Sequence, residues 1–458
     1  TPNPKPQTPN PKPQTPFTIL STPRNSNIEM INFLKKAKDK VQTTIGSPFQ
    51  KKKDKKSSED EEDAQAVERK SYQKQKDNAW KDQYGTGDDD FIPIEELPNK
   101  KKEKMNDDFQ NVDVTDLADN IPIFTFEDWC EFINNCSRDR NLLKNKTLKR
   151  RIVKSIIKEG IPESLRPYLY SIAAAASDMK RENDRTLIYY QPDVARQELS
   201  PEDQHQIEKD VHRTFFPSFH EWKDLRDKPD KTPEEIVKME ELKQENELMR
   251  HHVTQVLLAY THVDKVIGYV QGFNSIVAAL VYIYHLGKKA FDKDQPKLNA
   301  NFVLKFDEEE IFYTFYGFMY ILAWRNNFIN QMEDITRLCD HFKKRLAKED
   351  PELHEKFFRN HIPSLAYFAS FYLTICMHIT PMELSGKILD MFLFIGEDSV
   401  HYVLMGVLKC QRRKILEMKS EEKIINYLKS DVMRDIFEGG CIGSILLKEH
   451  LDEFYCSL

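Results

Sequence analysis

The chain has 458 residues, of which 40% are hydrophobic and 31% charged, and its formal net charge is −6. That length allows two or three average domains, or one large domain with a tail, and the polarity points to an unpacked part beside a well-buried one. The acidic balance lacks the basic footprint of a nucleic-acid binder, so nucleic acid is not expected as a partner.

Residues 1–110 read as a disordered arm. Thr1 to Pro16 runs TPNPKPQ twice and then TP, a Pro-rich repeat with nothing to bury, expected to be extended. A helix is expected at residues 27–46, where Met30, Phe33, Leu34, Ala37, Val41 and Ile45 recur at helical spacing among Lys35, Lys36, Lys38 and Lys40. Such a basic amphipathic helix suits an anionic membrane or a partner's groove. A transient helix in an unpacked arm accounts for the same pattern and is the preferred reading. From Lys51 to about Met105, blocks of opposite charge alternate with few apolar residues, as in a solvated linker.

Residues 111–159 read as a helical lead-in. Phe124, Phe126, Trp129 and Phe132 bring aromatic weight, and Thr125 with Asp128 can start a helix. Another helix is predicted from Leu148 to Ile157, closed by Gly160. Beyond it the helical period recurs at about 163–177, 237–263, 272–286, 308–324, 329–348, 363–378, 382–394, 399–416, 420–429 and 443–454, and no series of alternating strands appears. The fold class is therefore all-α.

Seven cysteines (Cys130, Cys136, Cys339, Cys376, Cys410, Cys441 and Cys456) are odd in number and form no C-x-x-C pair for zinc or redox work. Buried reduced thiols in a cytoplasmic protein are expected. No N-terminal apolar signal stretch is present. The most apolar run, Ile276 to Tyr284, is far shorter than the ~20 residues a membrane-spanning helix needs. The first residue is Thr, so the chain is expected to be a fragment or a processed form.

Two short stretches carry the chemistry: Ile207-x-x-Asp210-x-x-Arg213, continuing Thr214-Phe215-Phe216-Pro217, and Tyr269-Val270-Gln271-Gly272-Phe273-Asn274. An Asp and an Arg three apart on a helix commonly form no more than a surface ion pair worth under ~0.5 kcal/mol. In this order and setting, however, the two stretches resemble the catalytic signatures of the TBC family, the GTPase-activating proteins for Rab-type small GTPases. Other segments agree. Gly160-Ile161-Pro162-Glu163-Ser164-Leu165-Arg166 resembles the GIPxxLR opening of TBC domains, with Pro162 able to sit in a first helical turn. Leu257-Leu258-Ala259-Tyr260, Asp350-Pro351-Glu352-Leu353, Leu373-Thr374-Ile375 and Lys387-Ile388-Leu389-Asp390 are similar to later family segments. The resemblance spans about Gly160 to Glu417, so residues 160–458 read as the TBC domain with its C-terminal helices.

The resemblance implies an arginine finger at Arg213 and a glutamine finger at Gln271, both acting in trans on a GTP-bound Rab-type GTPase. Ile207 would anchor the helix face and Asp210 orient the guanidinium. Tyr269 and Asn274 would brace the loop, and Gly272 would permit close approach of the partner's backbone. Arg166, in the opening motif, joins these as a supporting residue. His212 reads as a loop residue. No cofactor or metal of its own is expected: no Gly-rich phosphate loop is present, and GTP and Mg2+ belong to the partner. Vesicle traffic, with the chain cytoplasmic or peripheral on an endomembrane and the arm as a membrane or protein contact, is what the family implies. The alternative is a TBC-fold scaffold or effector that binds a GTPase or another complex without catalysis. Two departures from the family bear on that choice. One is the extra Phe after Arg213. The other is the charged stretch Lys223 to Glu247, expected to lengthen a surface loop and a helix and to bear on GTPase selection.

Overall fold

Some helix starts in this chain are written in short polar signals, with side-chain caps at Thr125, Asn145, Ser200, Thr232, Asp307, Asp350 and Ser420. The computed structural model describes residues 122–183, 187–299, 303–329 and 332–432, all within one compact unit. The arm, its 27–46 helix, the 443–454 helix, Cys441 and Cys456 lie outside the described residues. Helix α1 (Phe126–Cys136) opens with the expected pair: Thr125 accepts from the Asp128 amide at 3.1 Å, and Asp128 accepts from the Thr125 amide at 2.9 Å. Proline begins α5 (Pro192–Glu198), α6 (Pro201–His212), α7 (Pro217–Asp227), α8 (Pro233–Val263) and α12 (Pro351–Phe358). There its missing N–H costs nothing.

The remaining helices are α2 (Lys146–Lys158), α3 (Arg166–Ala173), α4 (Ala176–Arg181), α9 (Phe273–Asp294), α10 (Glu308–Tyr320) and α11 (Glu333–Glu349). After them come α13 (Ser364–Leu373), α14 (Met382–Ile395), α15 (Asp398–Cys410), α16 (Arg412–Glu417) and α17 (Glu421–Ser430). Among the described residues there is no strand, so the all-α expectation holds. None of these helices is long and apolar enough to cross a membrane.

The centre of the first half is the last three turns of α8, where Val253, Val256, Leu257, Ala259 and Tyr260 are buried against α9 and α10. In the second half α11 packs along α13. Helix α14 joins the halves by packing on α2, α3 and α9. One continuous core runs from Phe124 through Val432, so the two helices ahead of Gly160 share it.

Several predicted helices are interrupted. The 163–177 stretch begins later, at Arg166: Pro162 heads a turn whose carbonyl accepts from the Leu165 and Arg166 amides, and Pro167 takes the second helical position. It also breaks at Ala175, which adopts φ 53°. There α10 approaches so closely that a Cβ on Gly317 would lie 2.0 Å from the Ala174 carbonyl oxygen. The 363–378 helix stops at Leu373 because Ile375 and Cys376 both take positive φ. The 399–416 helix divides at Gln411. The charged stretch from Lys223 forms the end of α7, a link at 228–232 and the exposed first half of α8.

Candidate functional site

Arg213 is where α6 ends. Ser200 caps the start of the helix, its hydroxyl accepting from the Asp203 amide at 3.0 Å. Ile207 and Val211 bury one face, and Asp210, on the same side, is only 2% exposed. Arg213 is the residue that leaves the helix, with φ −88° and ψ −1°. Its side chain stays 36% exposed.

Asp210 is a hub. One carboxylate oxygen, Oδ1, accepts a hydrogen bond from Arg213 Nη2. The other, Oδ2, accepts from the Tyr269 hydroxyl at 2.8 Å and from Gln206 Nε2 at 3.0 Å. Burial, with the Asp210 charge beside it, pushes the Tyr269 phenol well above its ordinary value, so it remains a donor. Such charge-assisted bonds are the stronger kind, and together they restrict the rotamers of Arg213 before any partner arrives.

A second chain of hydrogen bonds runs beside the first. Asn274 Nδ2 donates to Thr214 Oγ1 at 3.0 Å, and Thr214 Oγ1 donates to the Asp210 carbonyl at 3.0 Å. Asn274 Oδ1 meanwhile accepts from the Gly272 amide at 3.1 Å. Tyr269 and Asn274 thus tie the loop that carries Gln271 to the loop that carries Arg213.

Gln271 is half-buried, and its amide has no hydrogen bond among the described residues. Gly272 follows with φ 109°, a conformation that favours glycine, and it caps the apolar helix α9. Gly272 also makes a close approach within its own chain: a Cβ there would lie 2.8 Å from Thr374 Cγ2. His212 is exposed on the last turn of α6.

Arg166 does not join this cluster. Its Nε donates to both oxygens of Asp390, at 3.1 and 3.0 Å, and Tyr170 donates to the same carboxylate at 2.8 Å. Gly386 leaves room for the guanidinium on α14, since a Cβ there would lie 3.0 Å from Arg166 Cζ. The first residue of α3 therefore supports the core.

Sequence reading gave no site role to Gln206, or to Thr214 and Thr374 within their motifs. Gln206 lies four residues before Asp210, a spacing that helical geometry makes readable. The contact of Thr374 with Gly272 has no local signal, because it is made across the fold. Among the described residues no cluster of three or more His, Cys, Asp or Glu could hold a metal ion. Cys130, Cys136, Cys339 and Cys376 are buried thiols, and burial pushes Cys136 up to about 12.

Residues 163–416 match the Rab-GTPase-TBC domain family. The chain is 21% identical over 281 residues to the human protein called ecotropic viral integration site 5 protein homolog, covering 61% of this chain and 28% of that one. It is also 21% identical over 280 residues to the Rab GTPase-activating protein eat-17 of Caenorhabditis elegans, covering 61% and 26%. The match thus spans about a quarter of the length of these relatives. Among solved structures, the Ypt/Rab-GAP domain of Gyp1p aligns with 72% of this chain and 100% of its own, at 16% identity and a TM-score of 0.42. More than half of the sequence fits the family, in the stretch that holds both loops: the chain belongs to the Rab-GTPase-TBC domain family.

Proposed function

We propose that this chain accelerates GTP hydrolysis by a Rab-type small GTPase, inserting Arg213 and Gln271 into the partner's nucleotide site. The observation that carries the reading is the shared lattice of Asp210, Tyr269, Thr214 and Asn274. It fixes two loops together, one offering a half-exposed guanidinium and the other an amide with no partner among the described residues.

Hydrolysis by a small GTPase is limited by spread negative charge on the transferring phosphoryl group and by an unpositioned water. An arginine supplied in trans is worth about 10³–10⁵ in rate, or roughly 4–7 kcal/mol of barrier. Arg213 Nη2 is held by Asp210, and its other N–H groups meet no acceptor among the described residues. They form the kind of planar fork that can donate to two phosphate oxygens at once. The Gln271 amide offers both an acceptor for a water proton and a donor toward phosphate. Pre-ordering both loops lowers the entropy lost when the site assembles. The nucleotide and its magnesium would belong to the GTPase. The reading also places the chain in the cytoplasm, at an endomembrane surface, with the N-terminal arm as a candidate contact.

Single-turnover hydrolysis across a panel of GTP-loaded Rab-type GTPases tests this. Wild type should accelerate at least one, and Arg213→Ala and Gln271→Ala should each abolish most of that acceleration. Equal activity in all three proteins would sink the mechanism. Tight GTP-dependent binding without acceleration would instead favour a scaffold.

A further inference from the structure

Arg250, in the second half of α8, has no part in the mechanism above, yet it reaches the finger loop. Its Nε donates to the carbonyl of Thr214, the residue directly after Arg213, at 3.2 Å. Its guanidinium carbon lies 5.3 Å from the centroid of the Phe215 ring and 5.4 Å from that of Phe219. Those two rings lie 4.6 Å apart, and Trp222 continues the row 5.5 Å beyond Phe219. Phe215 is one of the two consecutive Phe residues that follow Thr214 in the finger motif. Its neighbour Phe216 is fully buried, while Phe215 remains 44% exposed with Arg250 at its face.

Packing alone is a poor account of Arg250. Its Nη2 is buried without a hydrogen-bond partner. No ion pair to it occurs among the described residues. Burial lowers its proton affinity, and Glu247 offsets this only at longer range. A half-buried cation with an orphaned donor and no carboxylate lowers stability compared with an apolar side chain of similar volume. Residues that lower stability in this way are commonly kept for function.

We propose that Arg250 is a positioning residue for the arginine-finger loop, clamping the Thr214 carbonyl and carrying the Phe215 ring so that the backbone just after Arg213 cannot slide. The inference rests on the functional reading above. Three tethers then converge on residues 210–215: Tyr269 on Asp210, Asn274 on the Thr214 side chain, and Arg250 on the Thr214 carbonyl. Two come from the Gln271 loop. The third comes from α8 and grips the loop beyond the finger.

Arg250→Met keeps the apolar stem and removes the cation and its fork. Arg250→Lys restores a charge and one kind of donor. Both variants of the full chain are compared with wild type by single-turnover hydrolysis, thermal unfolding and amide hydrogen exchange over residues 210–219. The expected result for Arg250→Met is a fall in maximal rate on the order of tenfold with little change in half-saturation, since small misplacements of a reacting group carry losses of that scale. Exchange at Thr214 to Phe219 should quicken, while Tm stays level or rises. Arg250→Lys should recover most of the rate. A lower Tm with an unchanged rate, or unchanged rate and exchange, would overturn the proposal. Should wild type accelerate no GTPase, the functional reading falls separately and exchange decides the clamp: faster exchange at unchanged Tm upholds it, and unchanged exchange removes it.

Discussion

At the contact between α3 and α14, Arg166, Asp390 and Tyr170 make nearly the same hydrogen bonds that Arg213, Asp210 and Tyr269 make between the end of α6 and the loop before α9. In both, an arginine and a tyrosine donate to one buried aspartate. The surroundings differ. Asp390 is 0% exposed, and burial pushes its carboxyl up even against the pull of the Arg166 guanidinium. That triad is largely enclosed: the Arg166 side chain is 12% exposed, and its Nε and the Tyr170 hydroxyl are spent on Asp390. The Arg213 triad has an equally buried aspartate but a guanidinium that reaches solvent. A third set, Arg325, Asp264 and Tyr260, resembles the closed one: Arg325 donates to both oxygens of Asp264, at 2.8 and 3.0 Å, and Tyr260 donates at 2.9 Å. Identical chemistry therefore serves structure where the arginine is enclosed, and is available to a partner where it is not.

Substitution of the two arginines should break the likeness most visibly. Arg213→Ala is expected to lower GTPase acceleration by about 10³–10⁵, with a smaller fall in Tm, since the buried Asp210 loses its cation but keeps the Tyr269 and Gln206 donors. Arg166→Met should do the reverse. It strands a fully buried Asp390, at about 3–5 kcal/mol in urea unfolding, while the activity per folded molecule stays at the wild-type level. A variant of Arg166 that folds normally but cannot activate a GTPase would collapse the distinction.

A gentler change probes how the open triad is held. Tyr269→Phe removes one donor to Asp210 and one of the two side-chain links between the loops. It should cost roughly tenfold in maximal rate, about 1.4 kcal/mol, and less than that in stability. Stopped-flow measurement of phosphate release at saturating activator would read it.

Acid should mark out the Arg325–Asp264–Tyr260 triad, by the smallest margin of these effects. Burial on its own would raise the Asp264 carboxyl, but Arg325 and Tyr260 hold it below 3.8. A group with a depressed folded value contributes stability that is complete above its unfolded value and is lost as pH falls through the folded one. Wild type should therefore lose up to about 1.4 kcal/mol per pH unit from this group below pH about 3.8. In denaturant titrations Asp264→Asn should remove that increment, and a slope identical to wild type would show that the triad is not under strain from protonation.

Much of the helix inventory was legible because its signals are local. Thr125 with Asp128, and proline after Ser200 and Asp350, state helix starts within one turn, although α6, α7 and α12 were too short or too polar for periodicity to list them. The breaks were not legible. Nothing near Ala175 in the sequence suggests positive φ, and Ile375 is a β-branched residue for which that conformation is unfavourable. Both lie beside contacts made across the fold, Gly317 against Ala174 and Gly272 against the Thr374 side chain.

For the site, the two motifs marked Arg213, Asp210 and Gln271 and placed them in a family. The same reading drew Arg166 into the site, since a motif arginine looks alike whatever faces it. What the sequence by itself determined was the class of fold, the helix starts and the side chains able to meet a phosphate. Tertiary structure alone decided which arginine stays open, that Gly272 yields to Thr374, and that Arg250 reaches the finger loop from α8. The physical reason is range. Caps and periodicity act within a turn or two of the chain, whereas burial and hydrogen-bond partners are set by residues that only folding brings together.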